Sequence, residues 1–238
     1  MELISKLFNW LFGESVVEDL PTTEEPFIFS TDYNNPYKEE YDKLWSEMII
    51  TKDLSYYLQR IFKNLELYKD ASRECESSLH TIPWQVIAVI HLMEAGGNTK
   101  RQILNGEYWN RRTIYVPKGH GPWDSFEESC VTAFRLNNKV PPIWSVANTL
   151  YFLESHNGFG YRKYHKTNSP YLWSFSNHYV KGKYVADGRY DANVISKQPG
   201  VAVLLKALEF EEPKRDTRRP IQSNVVVEDG KNSSREIS

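Results

Sequence analysis

The sequence predicts a mainly α protein: one helix-rich domain with small β and loop elements. Three observations lead there. Apolar residues recur at i, i+3, i+4 and i+7 in several separate segments, which is the helical period. One segment, Trp84 to Met93, is apolar on nearly every side, the mark of a helix enclosed within a core. The chain also has 238 residues, 40% of them hydrophobic, which is enough for a single sizeable core. A net charge of −2 carries no basic excess, so no nucleic-acid partner is indicated. No apolar run approaches the ~20 residues that a membrane-crossing helix requires, so no integral span is expected.

The expected organisation has three parts. Residues 1–36 form an N-terminal amphipathic segment and linker. Leu3, Ile4, Leu7, Phe8 and Leu11 fall at helical spacing. The early basic character is Lys6 alone, preceded by Glu2 and followed by no small-residue cleavage site, so no cleaved signal peptide is read. Docking on the domain is favoured for this segment over contact with a membrane or partner. Residues 14–36 are acidic and hold Pro21, Pro26 and Pro36, which suits a linker. Residues 37–210 form the domain. Residues 211–238 are charged and rich in Ser and Asn, the composition of a disordered tail.

Within the domain, Tyr41, Leu44, Trp45, Met48 and Ile49 define one amphipathic helix, and Leu54, Leu58, Ile61, Phe62 and Leu65 a second. The polar stretch 70–78 is expected to carry the turn into the central helix and to be partly helical. Pro83 suits the first turn of that helix, and Gly96-Gly97 stop it. Asn105-Gly106 signals a turn. Residues 112–117, ending in Pro117, read as an edge strand. Asp124 or Ser125 caps a helix with Glu127 and Glu128 in its first turn. Residues 144–155 form another helix, broken at His156-Asn157-Gly158. Ser169 to Ser174 is a rigid aromatic loop, 183–188 ends in a turn, and 200–210 is a last buried helix. Cys75 and Cys130 are either paired or free.

Glu94 is the leading candidate for chemistry. A carboxyl where a buried helix ends is costly to ionise, and the helix dipole disfavours negative charge there. Both conditions suit a general acid. The alternative is a glutamate pointing into solvent from the last turn. Glycosidases pair such an acid with a second carboxylate. Glu154, which closes a later helix in the same manner, and Glu107, just after the Asn105-Gly106 turn, are the candidates. Each has the plainer alternative of a structural or solvated side chain. Tyr161, Tyr171 and Trp173 offer flat faces for sugar rings, and Asn105, Asn157 and Ser174 offer hydrogen bonds to hydroxyls. The alternative for that set is a packed aromatic cluster. His91, three residues before Glu94, reads as a core histidine bonded to Glu94. His156, His165 and His178 are dispersed. No H-E-x-x-H or G-x-S-x-G motif occurs, so neither a metal nor a serine nucleophile is assigned, and no cofactor is expected.

Taken in order, several motifs form a longer pattern. They are Ile82-Pro83-Trp84 through Ile90-His91 to Glu94, the Leu104-Asn105-Gly106 turn, and Thr113 to Pro117. Asn157-Gly158-Phe159-Gly160-Tyr161-Arg162 follows, then Ser169-Pro170-Tyr171-Leu172-Trp173-Ser174 and Gly182 to Gly188. This series, across roughly 75–208, resembles a group of lysozyme-like bacterial and phage proteins. The resemblance implies an α-rich lysozyme-type domain that cleaves the β-1,4 links of peptidoglycan, with Glu94 as the catalytic acid. The chain departs from the pattern at Glu107, where the turn usually continues with aspartate, so that the charge is kept but moved. The implied protein is a glycoside hydrolase, acting as a monomer, with a cleft formed by loops 95–122 and 156–190. A lytic transglycosylase, or a glycan-binding or phage-structural module without activity, is the alternative. A metal-dependent hydrolase is a third reading that no motif favours. Lacking a signal peptide, it is expected in the cytoplasm or on a phage particle, reaching the wall through a holin-like partner, lysis or the particle.

Overall fold

A computed structural model describes residues 33–137, 140–186 and 188–210. The N-terminal segment and the tail expected at 211–238 lie outside the described residues, as does most of the 14–36 linker. The described part is mainly α with one small sheet. Helices α1 (Lys38–Ser46), α2 (Ser55–Lys63) and α3 (Leu65–Ser78) lead into the central α4 (Trp84–Ala95). Then come α5 (Phe126–Arg135), α6 (Val146–Asn157), a π-helical turn at Tyr161–His165, and the short α7 (Pro170–Trp173). Strands β1 (Lys183–Ala186) and β2 (Arg189–Asp191) pair antiparallel, with Lys183 opposite Asp191, before α8 (Val201–Ala207). No helix among the described residues is long and apolar enough to cross a membrane.

Helix α4 is the hub. It packs against α2, α3 and α8, while α3 also packs on α5 and α6 on both α1 and α7. Val86, Ile87, Ala88, Val89 and Ile90 are buried in succession, so every face of this helix meets protein. That explains the unbroken apolar run, because a helix with no wet side has no use for polar residues. Gly96 ends α4 in the left-handed conformation (φ 61°), which glycine adopts without a Cβ penalty. Arg60 and Asn64 side chains then donate to the carbonyls of Gly96 and Gly97, satisfying acceptors that the helix leaves open.

Several local expectations change. The polar stretch 70–78 is fully helical, as the end of α3, because Ala71 and Cys75 supply a buried stripe beneath its charged surface. Residues 112–117 form no strand; Thr113 instead closes a loop by bonding Pro117 O at 2.7 Å and His120 N at 3.1 Å. The aromatic stretch 169–174 is a helical turn, with Ser169 Oγ accepting from Tyr171 N and Pro170 at its start. Lys183–Ala186 form the first strand of a hairpin. Ser125, not Asp124, caps α5, accepting from Glu128 N at 3.1 Å, while Glu128 accepts from Asp124 N at 2.8 Å. Cys75 and Cys130 are both free and buried, and burial raises both thiols.

His91 is a core residue, but it does not bond Glu94. Its Nε2 faces the carbonyls of Asn98 (3.0 Å) and Arg101 (3.1 Å), so that nitrogen must carry the proton. Nδ1 then accepts from Tyr68 O–H at 2.9 Å. The neutral ring is therefore fully satisfied. Burial pushes its pKa down from 6.5 to about 4. Between those values the unfolded chain binds a proton here that the folded chain refuses, so stability rises with pH across this window. Acidification from pH 6.5 to 4 is expected to cost about 3 kcal/mol through this residue. Urea melts at stepped pH check this; an unchanged midpoint across the window would show that His91 titrates normally.

Candidate active site

The site is built where α4 ends and α6 passes it. Glu94 lies on the last turn of α4 with a side chain only 5% exposed. Its Oε1 is buried without any hydrogen-bond partner. His156 Nε2 stands 3.6 Å from that oxygen, and its side chain keeps 14% exposure. Tyr171, on α7, lies close enough for the Glu94 charge to raise its phenol, although burial is the larger cause. Tyr171 OH is also buried without a partner, as is Ser174 Oγ at the end of the same turn. A buried polar group left unpaired costs roughly 1–3 kcal/mol, so orphaned atoms mark places that a ligand or water completes.

The Asn105-Gly106 turn closes over the end of α4. Gly106 has φ +74°, and a Cβ there would collide with the backbone carbonyl oxygen of Glu94. Only glycine allows this approach. Arg101 Nη1 donates to Gly106 O at 2.6 Å, and buried Gln102 spans the turn through Asn105 Oδ1 (2.5 Å) and Leu104 N (2.6 Å). Asn105 Nδ2 donates to Glu107 Oε2 at 3.0 Å and to Tyr115 O at 3.2 Å. Asn105 is thus a brace within this turn. Glu107 accepts from the backbone N–H groups of Ile114 and Tyr115, at 3.1 and 3.0 Å for Oε2. It ties 113–116 to the turn, which explains why that segment makes no strand.

Glu154 belongs to a different network. It accepts from Tyr41 O–H and from Arg162 Nη2 at 2.8 Å and Nε at 3.3 Å. Arg162 also binds Glu40 through Nη1 at 2.6 Å. Burial first, then the Glu154 charge, pushes the Tyr41 phenol upward. Both oxygens of Glu154 are thus committed to holding α1, α6 and the π-helical turn together. Two residues along an α-helix turn about 200°, so His156 faces the opposite side of α6 from Glu154. With Glu154 aimed at α1, His156 is delivered to Glu94.

The other candidates separate. Trp173 is fully buried, with His178 against its ring at 5.4 Å, and so serves as core and not as a platform for sugar. Tyr161 is 5% exposed; its OH accepts from Tyr184 N at 3.0 Å, and its ring packs on Tyr184 and Tyr190. Asn157 is the half-buried last residue of α6, next to His156. Among the described residues no group of three or more His, Cys, Asp or Glu side chains could hold a metal ion. The residue that sequence reasoning missed is His156. Its signal was present, since a histidine two positions past an inward-facing Glu154 has to face another element.

Comparison with known proteins finds no matching family model, no matching curated protein and no matching solved structure.

Proposed function

We propose that the chain cleaves the glycan strands of peptidoglycan, with Glu94 as the general acid. One observation carries this reading: a carboxyl group at the end of the core helix, 5% exposed, with an oxygen that has no hydrogen bond. A protonated carboxyl so placed can donate to the departing glycosidic oxygen. The ordered motifs that resemble lysozyme-like proteins supply the substrate class. Oε1 is buried, with His156 Nε2 3.6 Å away. His156 is then a positioning residue whose Nε2–H turns toward Oε1 and fixes the carboxyl rotamer.

The engagement of Glu107 by backbone N–H groups and of Glu154 by Arg162 favours a route with one carboxylate. In a lytic transglycosylase the sugar's own C6 hydroxyl attacks C1 as the C1–O bond breaks. Glu94 first gives its proton to the leaving oxygen and then recovers one from that hydroxyl. The product is an anhydro sugar, and no water is consumed. In hydrolysis, water replaces the hydroxyl and leaves a reducing end. Product analysis of digested walls separates the two. A binding module without activity would retain wall pull-down and release neither product. Action as a monomer, reaching the wall from the cytoplasm or from a phage particle, belongs to the same proposal.

The positioning role has its own test. His156→Ala is expected to lower kcat by roughly 10- to 100-fold with little change in KM, since a misaligned acid loses rate without losing substrate. His156→Gln, which restores an N–H near Nε2, should recover much of the rate. Full activity in His156→Ala would remove His156 from the mechanism and leave Glu94 in it.

A further inference from the structure

A cleft of about 510 Å³ opens between the C-terminal end of α2 and the loop that follows α4. Its volume is in the range of small-molecule and short-peptide sites. Neither Glu94 nor His156 lines it. Its wall carries two cations, Arg60 and Lys63, and no carboxylate, on a chain whose net charge is −2. Lys63 has no acidic side chain within ion-pair distance among the described residues; Glu66, three positions on, pairs with Lys69 at 2.9 Å. Arg60 spends Nε and Nη2 on Gly96 O and one Nη1 proton on Tyr56 OH at 3.0 Å. A guanidinium has five N–H groups, so two remain. Gln59 adds an amide side chain that can match a peptide group as donor and acceptor, and Asn98, whose Oδ1 already accepts from Lys100 N at 3.0 Å, adds an Nδ2 donor.

We propose that this cleft binds a short acidic peptide, its carboxylates on Arg60 and Lys63 and its amides on Gln59 and Asn98. A bare oxyanion would use the cations but leave most of the volume and the amides idle. If the wall-cleaving reading holds, the natural source is the peptide branches of the polymer; that identification alone rests on the reading, and the site does not. Occupancy would be registered beside the candidate acid. Arg60 and Asn64 hold the carbonyls of Gly96 and Gly97, which end the helix that bears Glu94.

The test is titration of the full chain with a synthetic tetrapeptide carrying two free carboxylates and no sugar, followed by calorimetry and by amide chemical shifts. Saturable binding is expected, with shifts centred on Gly96 to Thr99. The fully amidated tetrapeptide should bind about tenfold more weakly, as expected for loss of a charge-assisted bond. Lys63→Glu should weaken the free peptide similarly and melt like wild type. Equal binding by the amidated peptide, equal binding by Lys63→Glu, or no binding would overturn the proposal. Inorganic phosphate that binds as tightly as the peptide would overturn the peptide class. The peptide has no glycosidic bond, so these results are independent of whether Glu94→Gln still clears walls.

Discussion

Glu94→Gln should nearly abolish the release of glycan fragments from purified cell walls, lowering the rate on the order of 10²- to 10⁴-fold. Glutamine keeps the shape and the neutral charge of a protonated glutamate but has no proton acidic enough to transfer. Because the side chain sits at the end of a densely packed helix, the isosteric change should leave the melting midpoint unchanged. Turbidity loss and chromatographic analysis of soluble products measure the first effect, and calorimetry the second. Clearing by the variant at the wild-type rate would end the assignment of Glu94, and with it the cleavage reading.

The largest stability effect is expected at Arg162. Its side chain is 19% exposed and its partner Glu154 2%, so removing the guanidinium leaves a carboxylate stranded inside the protein. Breaking a buried pair from one side costs about 3–5 kcal/mol. For a domain of this size that lowers the melting temperature of Arg162→Met by about 10 °C. Adding Glu154→Gln should return part of the loss, because the orphaned charge goes with it. Chemical and thermal melts of the two single variants and the double variant form the required cycle. An Arg162→Met protein that melts with wild type would show that the network is decorative.

The parts of this molecule that could be read from its sequence are those in which local pattern and global packing agree. The apolar run from Trp84, closed by Gly96, has one physical solution, a helix inside a core, and α4 is that helix. Its place at the helix end left Glu94 either buried or turned to solvent, and it is buried. Residues 112–117 were less legible. Their β-branched and aromatic content points to a strand, yet Glu107 binds two successive backbone N–H groups there and leaves no ladder to form. The aromatic motif was legible as a cluster but not in its exposure, since sequence does not say whether Trp173 faces a groove or the core; it lies in the core. Glu154 looked equivalent to Glu94 because both close helices. What distinguishes them is Arg162, brought from the next segment to one and not to the other.

Helix α6 carries the Glu154 anchor on one side and, on the other, His156 beside the proposed acid Glu94. Its orientation about its own axis therefore couples durability to the proposed turnover. A small roll of that cylinder, released by loosening the Arg162 clamp, would swing the imidazole of His156 off Glu94 while the fold persisted. Warming an anchor variant should accordingly abolish the proposed cleavage several degrees before circular dichroism records any loss of helix, whereas in the parent protein the two events should coincide.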